Sequence, residues 1–131
     1  MPILAPVRYP LDDRSRGTLE RAVAIAGERD DELVVLHVDL FQDSKDVSRT
    51  ALANAVDELV ADVPTTYVVR QGFLVERSIL EEAANQGVDT IVIGRTGVGR
   101  LRRTMRRLIG NDPDIEGFLR ENLDVEIEVA E

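Results

Sequence analysis

Two continuous apolar runs constrain the fold of this chain more than any other feature. They are LVVLHV, residues 33–38, and the run Thr90 to Ile93 within the predicted strand VDTIVIG, residues 88–94. Neither run alternates between apolar and polar side chains, which indicates strands buried on both faces. Two further strands are predicted at residues 3–7 and 65–70, and segments with helical spacing separate all four. The sequence therefore predicts an α/β fold, a three-layer sandwich around a parallel sheet, in a single domain over residues 1–131.

Three helices are predicted between these strands. The first has Asp13 or Ser15 as its N-terminal cap. The second runs from about residue 44 to residue 61. The third covers residues 74–86, and Gly87 ends it because glycine readily takes the left-handed conformation of a helix C-terminus.

The last segment, VEIEVA, is predicted to be an edge strand. It alternates strictly, so one face is expected to be buried while Glu126 and Glu128 reach solvent. An exposed edge invites pairing with another strand. The apolar positions Val125, Ile127 and Val129 are therefore the predicted seam of a homodimer.

Several single features favour structural roles. Pro6 cannot donate a ladder hydrogen bond and is predicted to mark the end of the first strand. His37, the one histidine, stands in an apolar strand, where a hydrogen-bonded structural role is favoured over a catalytic base. Three acidic doublets are predicted to lie on solvated helix ends and faces. They are Asp12-Asp13, Asp30-Asp31 and Glu81-Glu82.

Charge and composition limit the organism, the cellular location and the cysteine chemistry that are expected for this protein. The formal net charge is −9, with 25 acidic against 16 basic residues, and Lys45 is the single lysine. Concentrated salt screens such self-repulsion, which favours a salt-accumulating organism; an arginine-biased genome with ordinary acidity is the alternative. The absence of cysteine excludes disulfides and thiolate metal sites. The start is too short and acidic for a signal sequence, and no apolar run approaches the roughly 18 residues of a membrane span, so a soluble cytoplasmic protein is expected.

The order of these segments resembles the universal stress protein family. The resemblance is carried by ILAPV before an alanine-rich helix, by LVVLHV, by GFLVERSILEEA and by VDTIVIGRTG. It implies a five-stranded parallel sheet of order 3-2-1-4-5, of the adenine nucleotide alpha-hydrolase type, that dimerises through its last strand. In one branch of the family it also implies ATP at the carboxyl ends of strands one and four, where ligands bind in such sheets.

The phosphate motif of that branch is only partly present. Gly94 and Gly97 match its first pair, and glycines there let backbone amides approach phosphate oxygens. Gly110 follows after twelve residues instead of nine, and Asn111 replaces the hydroxyl residue. Arg8 stands where nucleotide-binding members carry an aspartate, and a guanidinium only donates hydrogen bonds. The resemblance therefore implies a modified site.

The ligand expected there is ATP, AMP or a related anion, bound without efficient catalysis. Mg²⁺ would offset repulsion from Asp112, the predicted cap of the last helix. The residues predicted to contact the ligand follow strands one, two and four. They are Val7, Arg8, Val38, Asp39, Gly94, Arg95, Gly97, Gly99, Arg100, Arg103 and Gly110.

Six arginines between residues 95 and 107 leave further functions open. Arg100 and Arg103 could clamp phosphate. The whole segment could instead neutralise acidic neighbours, or it could bind nucleic acid or an acidic partner through residues 100–107. A net charge of −9 and two tyrosines disfavour nucleic acid. The remaining alternative is a dimeric interaction protein that binds no nucleotide.

Overall fold

Five parallel strands form one sheet among the residues that the computed structural model describes, 1–40, 47–94 and 125–130. The strands are β1 (Ile3–Val7), β2 (Leu33–Leu40), β3 (Thr65–Gly72), β4 (Thr90–Gly94) and β5 (Glu126–Ala130). The helices of the described ranges are α1 (Asp13–Arg29), α2 (Arg49–Val56) and α3 (Val75–Gln86). The sheet order is β3-β2-β1-β4-β5 and every pairing is parallel. The predicted order 3-2-1-4-5 is confirmed.

Alternate residues of the strands supply two separate cores, one on each face of the sheet. Ile3, Ala5 and Val7 of β1 pack on the same side as α1 and α2. Leu4 lies on the opposite side with α3, whose Ile79 is 1% exposed. Because both faces are covered, the central strands need apolar side chains at every position. This explains why apolar and polar residues do not alternate in these runs of the sequence.

The cap of helix α1 lies one residue before the earlier of the two predicted caps. Asp12 is the cap, and its carboxylate accepts a hydrogen bond of 2.8 Å from the Ser15 amide. Asp13 is the first helical residue, so the prediction of Asp13 or Ser15 was wrong. Asp12 has the extended backbone of an N-cap, with φ −101° and ψ 178°, and Ser15 lies on the buried face of the helix.

Over the described residues, helix α2 is shorter than the predicted span of residues 44–61, of which 44–46 lie outside the described residues. Ser48 caps it by accepting a hydrogen bond of 3.0 Å from the Ala51 amide, and the helix ends at Val56. Turns follow, yet Val60 stays 2% exposed, so the apolar spacing continues after the helix has ended. Helix α3 ends at Gly87 with φ 63°, as predicted.

Both faces of β5 pack on the rest of the chain. Ile127 is 6% exposed and joins the α3 side, while Ala130 is 7% exposed and joins the α1 side. Glu128 lies 3.6 Å from Arg21 of α1, and Glu126 lies 3.1 Å from Arg29. Glu126 is exposed, as predicted, whereas Glu128 is half-buried beside Arg21, because α1 runs across the face that carries both glutamates. The edge position of β5 is confirmed.

Candidate functional site at the carboxyl edge of the sheet

The strand order of the sheet reverses between β1 and β4, which lie side by side. β2 and β3 follow on one side of β1, and β4 and β5 follow on the other. β1 pairs with β2 over five residues but with β4 over two, Ile3 with Thr90 and Leu4 with Ile91. The Ile3 amide donates toward β2, and amide directions alternate along a strand, so residue 6 faces β4. Proline there has no amide hydrogen to donate. Pro6 lies within β1 and not at its end, and the pairing with β4 stops before it is reached.

The backbone that leaves β1 is fixed by the first turn of α1. The Arg8 amide donates a hydrogen bond of 2.8 Å to the Ser15 hydroxyl, and Ser15 is 4% exposed. The Ser15 amide in turn donates to Asp12, and this bond lowers the pKa of the Asp12 carboxyl. Burial acts in the opposite direction, and the charges of Arg8 and Arg14 lower the pKa further. The arrangement holds Arg8 directly beyond β1 with its side chain exposed.

The polar groups at the end of β2 serve the fold. His37 is 8% exposed, and its Nδ1 lies 3.1 Å from the Val7 carbonyl oxygen, which can accept only if Nδ1 carries the proton. The Tyr9 ring meets His37 edge to face at 6.2 Å between centroids. His37 is thus hydrogen-bonded, as the sequence predicts. Asp39 is 4% exposed and accepts a hydrogen bond of 3.0 Å from the Val47 amide.

Gly94 closes β4 against the side of α1. A Cβ at this position would lie 2.8 Å from Thr18 Oγ1 and 3.5 Å from the Arg14 carbonyl oxygen. Thr18 is 1% exposed and donates to the same Arg14 carbonyl at 2.9 Å. Packing of α1 on the sheet therefore explains the glycine without reference to a ligand.

The structure brings three of the predicted site residues to this edge. Val7 and Gly94 are the last residues of β1 and β4, and Arg8 follows β1. Val38 and Asp39 lie inside β2, not after it, because the strand continues to Leu40. Val38 packs in the α3 core while Asp39 faces α1 and α2, so the two side chains cannot serve one site. The other predicted contacts lie outside the described residues. They are Arg95, Gly97, Gly99, Arg100, Arg103 and Gly110.

Sequence reasoning placed Asp12 and Ser15 at the start of the helix but missed the contacts by which these two residues and Thr18 shape this edge. Aspartate at a strand-to-helix junction is a preferred N-cap, and this signal could have identified Asp12 as the cap. Thr18 looks like any helical threonine until its distance to Gly94 is known. Within the described ranges no group of three or more His, Asp or Glu residues could hold a metal ion.

The fold and this edge define a doubly wound α/β domain with its strand order reversed between two central strands. Residues 1–111 match the family model of the universal stress protein family. The chain belongs to that family. A search of curated proteins gives no match to this sequence.

Solved structures with this fold include proteins determined with adenine nucleotides. A universal stress protein in complex with cAMP has a TM-score of 0.73 at 15% identity and covers 97% of this chain and 94% of its own. A universal stress protein from Archaeoglobus fulgidus in complex with dAMP has a TM-score of 0.71 at 16% identity, and the match covers 100% of this chain and 98% of that protein. A universal stress protein family protein from Arabidopsis thaliana with AMP bound has a TM-score of 0.62 at 13% identity, and the match covers 99% of this chain and 90% of that protein. At these identities the likeness establishes the shared fold.

Among the described residues, the longest helix has 17 residues, and none is both long and apolar enough to span a membrane.

Proposed function

We propose that this chain is a stress-response module that binds ATP, AMP or a related anion at the carboxyl edge between β1 and β4. The observation that carries the proposal is the early end of the β1–β4 pairing at Leu4, with Pro6 beyond it. Where strand order reverses, connections leave the sheet in opposite directions, and ligands bind in the resulting crevice. The adenine nucleotides in the family members described above support a nucleotide as the ligand.

The charges at this edge favour an anion with a metal ion. Arg8 is exposed, and Arg14 lies close enough to lower the pKa of Asp12 together with it. Asp12 and Asp13 at the start of α1 oppose a triphosphate. A monophosphate meets less of this repulsion, and ATP is expected to bind with Mg²⁺.

We propose that the site performs no efficient catalysis. The buried titratable groups near the end of β2 already have structural partners: His37 contacts the Val7 carbonyl, and Asp39 holds the Val47 amide. A general base must be within hydrogen-bond reach of its substrate. His37 and Asp39 are 8% and 4% exposed, so a substrate that arrives from solvent reaches little of either side chain.

The proposed molecule is a cytoplasmic homodimer in a salt-accumulating organism. Edge strand β5 supplies the seam through its outer backbone groups and through Val125 and Val129, which are half-buried; Ile127 is already covered by α3. Analytical ultracentrifugation of Val129→Arg tests the seam and should give a monomer. Unfolding in rising KCl tests the salt dependence, and stability should increase as the net charge of −9 is screened.

Calorimetric titration with MgATP, AMP and a short RNA, at low and at multimolar salt, tests the function. Arg8→Ala is the site variant. Arg77→Ala is the matched control. Arg77 is exposed on α3, so this substitution removes the same charge at a position away from the β1–β4 junction. Saturable nucleotide binding that weakens only in Arg8→Ala supports the proposal.

Two results would replace it. Binding of RNA alone, lost in Arg102→Glu/Arg106→Glu, would establish the nucleic-acid alternative. A lack of binding to all three ligands at both salt concentrations would leave the dimeric interaction protein.

A further inference from the structure

The outer edge of β3 presents backbone groups that can still form hydrogen bonds. β3 is the last strand on its side of the sheet, at the edge opposite β5. The Leu33 amide donates to the Pro64 carbonyl oxygen, which therefore faces β2. Because backbone direction alternates along a strand, the amide and carbonyl groups of Thr65, Tyr67 and Val69 point away from the sheet. Within the part of the chain that the structure describes, no hydrogen bond reaches these backbone groups.

β3 lacks the features that commonly protect an exposed edge from pairing. Such edges are often short, or they carry lysine, proline or a bulge. β3 has eight residues against the five of β5, and its pairing with β2 continues without a bulge from Thr65 to Gly72. Its sequence, TTYVVRQG, is rich in residues that favour strands and has one charged side chain, Arg70. An extended segment of another chain can therefore pair with this edge.

Both faces of the sheet carry negative charge beside this edge. On the α2 side, the Tyr67 hydroxyl donates a hydrogen bond of 3.5 Å to the exposed Asp57 carboxylate. Burial, and then the negative charge of Asp57, raise the pKa of that hydroxyl. On the α3 side, Arg70 lies 3.0 Å from Glu82 and 3.1 Å from Glu81. The three carboxylates exceed the one guanidinium, so the side chains named here leave an excess of negative charge along β3.

This charge favours one kind of occupant over another. A second copy that paired through its own β3 would bring a second excess of negative charge to the same edge, in whichever direction its strand ran, and like charges repel. At β5 each of the two glutamates lies beside an arginine of α1, so that edge lacks this excess. A segment rich in lysine or arginine would instead be attracted to the carboxylates on both faces of β3.

We propose that the outer edge of β3 binds an extended basic segment of a partner protein by strand addition. Backbone hydrogen bonds to Thr65, Tyr67 and Val69 supply affinity, and the carboxylates on the two faces select the charge of the partner. The surface is separate from the nucleotide site proposed between β1 and β4, so neither proposal depends on the other.

Fluorescence anisotropy with a labelled peptide of alternating valine and lysine, eight residues long to match β3, tests the proposal. The titration uses the lowest salt concentration at which circular dichroism shows the folded protein, because dissolved ions screen the charges. The same peptide with glutamate in place of lysine is the control. The lysine peptide should bind saturably, and the glutamate peptide about tenfold more weakly.

Two variants separate strand addition from attraction to an acidic surface. Val69→Pro removes an amide that points outward, so it costs no bond to β2 but takes one donor from the peptide and should weaken binding about tenfold. Asp57→Asn/Glu81→Gln removes two flanking charges and should weaken binding about fivefold. Glu20→Gln/Glu28→Gln is the matched control. Both glutamates are exposed on α1, which packs chiefly on β1 and β4, so binding should stay the same.

Amide hydrogen exchange followed by NMR locates the bound peptide. The amides of Thr66 and Val68 face β2 and should be protected in the free protein. The amides of Thr65, Tyr67 and Val69 should become protected only when the lysine peptide is bound.

Four results would overturn the proposal. The first is no binding of the lysine peptide, and the second is equal binding of the glutamate peptide. The third is binding that leaves the three outward amides unprotected or is unchanged in Val69→Pro, which would place the peptide elsewhere. The fourth is protection of these amides without peptide that increases with protein concentration, which would give the edge to a second copy. The exchange experiment on the unaltered protein remains decisive even if Val69→Pro does not fold.

Discussion

The close approach of β4 to α1 predicts a measurable coupling between Gly94 and Thr18. In Gly94→Ala the new Cβ would lie 2.8 Å from Thr18 Oγ1, which is closer than real Cβ contacts, so Thr18 must move and give up its bond to the Arg14 carbonyl. Overpacking of this kind costs about 2 kcal/mol. Thr18→Ala removes the obstructing oxygen and a buried methyl group, at a cost of about 1 kcal/mol.

The double variant isolates the contribution of this contact. The next atoms, the Arg14 carbonyl oxygen at 3.5 Å and Arg14 Cβ at 3.8 Å, are at ordinary contact distances. Gly94→Ala should therefore cost nothing once Thr18 is alanine, and alanine in place of glycine stabilises a compatible site by about 0.5 kcal/mol. The expected coupling between the two substitutions is about 2 kcal/mol.

Urea or guanidinium unfolding of the four proteins, followed by circular dichroism at one fixed salt concentration, measures the coupling. Gly27→Ala is the matched control. Apart from its chain neighbours and the backbone of α1 itself, no atom of the described residues lies within 4 Å of a Cβ at Gly27, so alanine there should stabilise by about 0.8 kcal/mol. If the losses in Gly94→Ala and Thr18→Ala simply add, Thr18 is not the obstacle, and the packing account of Gly94 is wrong.

Three further substitutions test the remaining contacts. Ser15→Ala leaves the Arg8 amide without its partner and should cost about 2 kcal/mol in unfolding free energy, measured in denaturant. Asp12→Asn should show that the Asp12 charge stabilises the fold above about pH 4 and loses this effect as pH falls through its lowered folded pKa, measured as the stability difference from the unaltered protein across pH. Arg70→Leu leaves Glu82, whose side chain is 7% exposed, without its cation, and should lower the unfolding free energy by about 3 kcal/mol.

Each of these has a control and a contrary result. Ser48→Ala removes the exposed cap of α2 and should cost about 1 kcal/mol, so an equal or smaller loss in Ser15→Ala contradicts the role given to Ser15. A stability difference for Asp12→Asn that does not change between pH 6 and 2 contradicts the pKa argument. Glu81→Gln disturbs an exposed pair with Arg70 and should cost under about 1 kcal/mol. A loss as large as that in Arg70→Leu would show that burial of Glu82 is not the cause.

The sheet could be predicted because its determinants are local. Strands covered on both faces require continuous apolar runs, and a helix between successive strands requires a parallel sheet. The family resemblance then supplied the strand order. Helix starts were less accurate because Asp12, Asp13, Ser15 and Ser48 all belong to residue types that can cap. Backbone conformation, which the sequence does not reveal, decides among them.

Contacts between distant parts of the chain could not be predicted. Glu82 belongs to a doublet that reads as a solvated face, yet Arg70 on β3 and Gln86 one turn later bury it. Arg29 meets Glu126 across 97 residues of sequence. Such partners are fixed by the register of the sheet and the position of the helix. At the candidate site, the neighbours of Arg8 and Gly94 follow from the same tertiary geometry.

The contacts that hold β5 on the sheet matter for a protein that is proposed to function in concentrated salt. Its two ion pairs to α1 are exposed, and such pairs contribute at most about 1 kcal/mol each in dilute buffer and less as salt rises. Ile127 and Ala130 bury apolar groups on opposite faces of the strand, and its backbone pairs with β4 along five residues. Neither kind of contact is weakened by dissolved ions. β5, the outermost strand, should therefore stay paired with the sheet at salt concentrations that fully screen its ion pairs.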